Sequence, residues 1–162
     1  MPSSTDTGEE HPRPEIIRIG PLELRFIQDK HGTGGGLDLF EMVVPPGGQM
    51  PVAHYHRDWD EAALGLDGTV TFTVSGTPHD LGPGESLFIP RGTIHGFDNH
   101  SGAPARCLCV LTPGVLGPEY FRKLSALIAE APPGEAPDEA EVERTMLRHG
   151  LVPVGNGAPT PA

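Results

Sequence analysis

The stretch GQMPVAHYHRDWDEAALGLDG, residues 48–68, decides how this chain is read. His54 and His56 stand two apart, and on an extended segment side chains at i and i+2 leave the backbone on the same side. Five residues after His56, Glu61 opens an alternating run and can turn its carboxylate to the same point. A second stretch, GESLFIPRGTIHGFDN over residues 84–99, offers a third imidazole, His95, after a turn. Three neutral imidazoles and one carboxylate suit a divalent transition ion such as Fe, Mn, Ni, Co, Cu or Zn. With four protein ligands, an ion that accepts five or six keeps open positions for water, dioxygen or a bidentate substrate.

Outward from these stretches the pattern is one of short strands between turns. Residues 17–19, 22–26, 37–44, 61–66, 69–74, 86–89, 93–98 and 106–111 read as strands, and Asp67-Gly68 has the composition of a hairpin turn. Gly and Pro, 22 and 19 residues of 162, rule out a long helical bundle and leave disorder or a turn-rich β domain. The regular strand rhythm selects the β domain. Past Pro113-Gly114, Phe121, Leu124, Leu127 and Ile128 line up as one helical stripe, and a second helix is predicted over 138–149. The chain therefore divides into a flexible tail (1–14), one β domain without internal repeat (15–114), helices packed on it (115–150) and a second flexible tail (151–162).

The charge balance, 11 Lys and Arg against 22 Asp and Glu, opposes nucleic-acid partners and anionic membrane surfaces. There is no apolar run long enough to span a bilayer, and residues 1–14 lack the features of a signal peptide, so a cytoplasmic location is expected. Cys107 and Cys109 cannot make a disulfide framework and read as small buried residues. No Ser-His-Asp set and no phosphate-cradling Gly loop is present, and only Lys30 and Lys123 could offer an amine. His11, His31, His79, His100 and His149 fall in tails, turns or a helix end and read as surface residues.

The two stretches resemble the paired motifs of the cupin superfamily. The first motif's fixed positions match Gly48, His54, His56, Glu61 and Gly68; the second's match Gly84, Pro90, Gly92, His95 and Asn99. The likeness extends with the flanking strands to about 15–114. It implies an all-β fold, a jelly-roll β-barrel, here with a C-terminal helical extension. It also implies that His54, His56, Glu61 and His95 ligate one divalent metal, with Fe, Mn or Ni favoured and Zn, Co or Cu as alternatives. In the quercetin-dioxygenase-like group the equivalent glutamate both ligates the metal and takes the substrate proton. For Glu61 two roles therefore stand: ligand alone, or ligand and catalytic base.

One departure from the family concerns the residues after Glu61, where bulky side chains are usual and this chain has EAALGL. Ala63 and Gly65 share the face of Glu61 and predict room for a bulky ligand, or for Phe97, which shares the face of His95. Trp59, between His56 and Glu61, is a candidate platform at the barrel mouth, or an interface or core anchor. Phe40 and Met42 share a strand face and are candidate pocket wall. The function implied is a metal-dependent, dioxygenase-like enzyme for a small aromatic or enolic substrate. The alternatives are a non-redox isomerase, lyase or polyketide-type cyclase, or a non-catalytic binding module. Cupins commonly form homodimers, and the N-terminal strand is a candidate to pair across such an interface.

Overall fold

In a computed structural model, which describes residues 13–50 and 52–155, the chain forms two sheets and two helices. Ten strands come first: β1 (Glu15–Ile19), β2 (Leu22–Gln28), β3 (Asp38–Val44), β4 (His54–His56), β5 (Asp60–Asp67), β6 (Val70–Val74), β7 (Thr77–Leu81), β8 (Ser86–Ile89), β9 (His95–Asp98) and β10 (Ala105–Thr112). Helices α1 (Gly117–Glu130) and α2 (Glu139–Arg148) and a last strand, β11 (Leu151–Pro153), follow. The six-stranded sheet runs β1-β2-β3-β10-β5-β8 and the five-stranded sheet β11-β4-β9-β6-β7. Strict alternation makes the core: β3 buries Phe40, Met42 and Val44, and β10 buries Ala105, Cys107, Cys109 and Leu111. The two inner faces close on each other as a jelly-roll barrel with a C-terminal helical extension.

Two expectations change. Asp67-Gly68 is not a hairpin turn, because β5 and β6 lie in different sheets. The chain turns a barrel corner there, and the tight hairpin is Ser75-Gly76, where both residues have positive φ (49° and 79°) and join β6 to β7. Nor is the segment from 151 a tail at its start. Leu151 pairs with His56 and Pro153 with His54, so β11 covers the edge of β4. On its other side β4 meets β9 only at His54 and His95. A strand of three residues is too short to show alternation in sequence, and the open edge of β4 is what recruits it. Residues 1–12 of the expected first tail and 156–162 of the second lie outside the described residues.

The helices close one flank of the barrel. Phe121 of α1 packs on Phe26 and Phe40, with ring centroids 5.6 and 5.4 Å away. Arg122 reaches Glu15 on β1 through contacts of 2.6 and 2.5 Å. Asp138 caps α2 by accepting from the amides of Ala140 and Glu141. Among the described residues no helix is long and apolar enough to cross a membrane.

Asp38 ties α1 to the barrel. Its fully buried carboxylate accepts from the Lys30 amide at 2.8 Å and the Gly117 amide at 3.0 Å. Asp38→Ala leaves both donors in the interior without a partner and is expected to cost about 3 kcal/mol. Urea denaturation measures it; a loss below ~1 kcal/mol would show the clasp to be dispensable.

Candidate metal centre

β4 turns His54 and His56 into the barrel and leaves Tyr55 on the other side. β9 sets His95 opposite His54. The imidazole centroids lie 5.1 Å apart for His54 and His56, 4.7 Å for His54 and His95, and 4.6 Å for His56 and His95. One ligand nitrogen from each lies within 4.8 Å of the other two, and the His54 and His56 Nε2 atoms are 3.2 Å apart. Glu61, from β5, stands at the flank of this trio. Its Oε2 is 3.4 Å from His95 Nε2 and 3.8 Å from His56 Nδ1, and it is not one of the three mutually close donors. The structure thus gathers a three-histidine cluster with a carboxylate beside it. Of the other histidines, His31, His79 and His100 are exposed, His149 is half-buried with its Nδ1 2.8 Å from the Thr145 carbonyl, and His11 lies outside the described residues.

The trio is prepared to ligate. His54 donates through Nδ1 to the Val52 carbonyl (3.1 Å) and His95 through Nδ1 to the Thr93 carbonyl (2.9 Å), which leaves Nε2 of each aimed at the shared centre. Burial lowers His54 to about 4 and His56 to about 3, so both are neutral imidazoles at physiological pH. Burial acts on His95 in the same direction and is the largest single influence, but the Glu61 carboxylate, by hydrogen bond and charge, together with the Thr93 carbonyl outweighs it and leaves His95 above its ordinary value. On Glu61 burial pushes upward, and the His95 hydrogen bond with the neighbouring imidazoles holds the carboxyl at about 2. His95 and Glu61 are thus coupled to each other, and a divalent cation held by both competes with protons for them. Three imidazoles, two of them held with Nε2 free for the centre, and an ionised carboxylate are a donor set that fits such an ion.

These four groups form the polar end of a cavity of about 120 Å³. Phe40, Phe72, Phe97 and Phe121, with Met42 and Met50, make much of the remaining wall. No Lys or Arg lines it among the described residues.

The profile of the Cupin domain matches residues 40–111. The crystal structure of the polyketide cyclase RemF from Streptomyces resistomycificus is 30% identical in sequence, with a TM-score of 0.51 over 61% of this chain and 68% of that one. The chain belongs to the cupin superfamily. Quercetin 2,3-dioxygenase of Bacillus subtilis (strain 168) is 35% identical to this cupin over 102 residues, 62% of this chain. Tetracenomycin polyketide synthase protein TcmJ of Streptomyces glaucescens is 31% identical over 87 residues, 54% of this chain. The cupin spans 29% of the first of these curated relatives and 56% of the second.

The pocket of this cupin differs from the sequence expectation in three residues. Phe40, Met42 and Phe97 line the cavity; Trp59, Ala63 and Gly65 do not. Ala63 and Gly65 do face inward beside Glu61, with Cys109 and Cys107 of β10 as their cross-strand partners. A Cβ on Gly65 would meet the Gly82 carbonyl oxygen at 2.0 Å, so the close approach there is made by backbone and not by a ligand. Trp59 is fully buried and stacks on His56, as expected of a core anchor and not of a residue at the barrel mouth. The two thiols are 4.0 Å apart; hydrogen bonding from Cys107 and burial push the Cys109 thiol up, so it stays protonated, and Cys109 alone of the pair reaches the cavity.

The residues missed in sequence include Leu24, Met50 and Phe72 of the barrel and, from the C-terminal extension, Phe121, Leu124 and Ile128 of α1, Val142 of α2, and Leu151. The α1 stripe was visible as an apolar helix face, but nothing local says that this face closes a cavity ending at His54 and His95.

Proposed function

We propose that this cupin is a metal-dependent, dioxygenase-like enzyme for a small planar phenolic or enolic substrate. One observation carries the reading: an aromatic and aliphatic cavity with a single polar end, built from three imidazoles and an ionised carboxylate. Such a wall accepts a flat apolar body and leaves one place where a hydroxyl or carbonyl edge keeps hydrogen-bonding partners. The absence of Lys and Arg from the described lining argues against phosphorylated or dicarboxylate substrates.

His54, His56 and His95 would hold the ion, and Glu61 would complete the set. A divalent transition ion, when bound, supplies Lewis-acid and, as Fe, Mn or Ni, redox chemistry. Glu61 is the ionised group at the polar end and takes the proton of a substrate hydroxyl. The apolar wall keeps water from the reacting edge.

The likeness to RemF favours a second reading, ring closure of a polyketide without oxygen. Protein purified without added metal is expected to carry about one transition ion per chain by elemental analysis, and to consume dioxygen with a suitable phenol or enol until a chelator is added. Turnover without oxygen uptake selects the cyclase. Metal-free protein that takes up none overturns both. We also propose a homodimer paired through the edge of β1 that is free among the described residues, where Ile16 is exposed; sedimentation would show a monomer if that is wrong.

A further inference from the structure

We propose that Trp59 is a positioning residue of the metal centre, holding the His56 imidazole in its ligating orientation. The inference rests on the metal-centre reading and concerns how this chain keeps its second ligand in place. His54 and His95 are each fixed in the same way, by a ring hydrogen bond to the carbonyl two residues upstream, Val52 and Thr93. His56 lacks that device among the described residues. Its Nδ1 finds only Glu61 Oε2, at 3.8 Å, which is beyond a hydrogen bond. What it has instead is an aromatic face. The Trp59 indole lies against the ring with centroids 4.6 Å apart and planes 23° from parallel.

The indole is held in place by its surroundings. Trp59 is fully buried, and Gly150 packs beside its six-membered ring so closely that a Cβ there would stand 2.9 Å from Cζ3. The Gly150 carbonyl accepts from the Arg57 amide at 2.9 Å, which fastens the end of α2 beside the loop that carries Trp59. The indole Nε1 has no hydrogen-bond partner among the described residues, so the site uses the face of Trp59 and not its donor. Stacking restrains ring tilt as a carbonyl does for the other two histidines, and groups that orient metal ligands typically change affinity by about 10–100-fold when lost.

Trp59 is the only tryptophan in the chain, so indole emission reports from this one position. Metal-free full-length protein titrated with Co2+ is expected to bind one ion by equilibrium dialysis and to lose indole emission in step, because a paramagnetic ion on His56 lies one ring away. Trp59→Leu, which fills space without an aromatic face, is expected to bind Co2+ about tenfold more weakly with an altered visible spectrum. Trp59→Phe, which keeps a face, restores most of the affinity and the spectrum. Wild-type protein that binds Co2+ with unchanged emission would overturn the role of Trp59, and needs no variant to fold. Trp59→Leu at wild-type affinity and spectrum, or Trp59→Phe as weak as Trp59→Leu, would also overturn it. No Co2+ uptake by wild-type protein would instead overturn the metal-centre reading, and this inference with it.

Discussion

His95→Ala is expected to leave a folded protein that no longer retains its metal. His95 touches every member of the site: its ring sits 4.7 Å from that of His54, 4.6 Å from that of His56, and its Nε2 is 3.4 Å from Glu61. The substitution deletes a direct nitrogen donor, so the loss of affinity should exceed the roughly 10–100-fold that follows loss of an outer-shell partner. It also strands Glu61. With its hydrogen bond from His95 gone, burial dominates, and the carboxyl rises from about 2 and takes up a proton. Leaving the buried carboxylate without its His95 partner costs about 1–3 kcal/mol, the penalty of an unsatisfied buried polar group, and protonation recovers part of that. Equilibrium dialysis with elemental analysis reads the first effect and urea denaturation of the metal-free protein the second. One ion per chain bound as tightly as in the parent would sink the ligand assignment. His100→Ala, on an exposed ring, is the control and should change neither.

Gly65→Val is expected to be the most destabilising single change outside the site, above ~4 kcal/mol and enough to prevent folding. A Cβ at this position would stand 2.0 Å from the Gly82 carbonyl oxygen and 2.7 Å from its carbon. These are backbone atoms, and the turn that carries them is fastened: the Gly65 amide donates to the Glu85 carbonyl and the Gly84 amide to the Gly65 carbonyl, both at 2.9 Å. The Gly82 amide adds a 2.8 Å bond to the Glu85 carboxylate. Relief would require breaking that turn. Gly102→Ala, where a Cβ meets nothing within 4 Å, should be nearly neutral. Expression and denaturant midpoints compare the two; a Gly65→Val protein within ~1 kcal/mol of the parent would show that the turn can move aside.

Gly65 also shows where reading from sequence stops. Its side of β5 followed from alternation, and so did its smallness beside Glu61. That the gap belongs to the Gly82 turn, and not to a ligand, depends on a residue 17 positions away. Trp59 is a similar case: its place between His56 and Glu61 was plain, while its burial against His56 and Gly150 required the far end of the chain.

From the sequence alone came the β class, the helical extension and the shared side of His54 and His56; that His95 and Glu61 join them was implied by the resemblance to the paired cupin motifs. The first three are legible because strand alternation has a period of two, a helix face recurs every three to four residues, and turn residues mark where strands end, all properties of a few consecutive residues. Only the tertiary structure decided the walls of the cavity, the covering of β4 by Leu151–Pro153, and the closing of the barrel flank by Phe121, Leu124 and Val142. Those contacts join segments up to a hundred residues apart. Their partners are set by which apolar faces and strand edges remain open once the barrel has formed, and no local pattern records that.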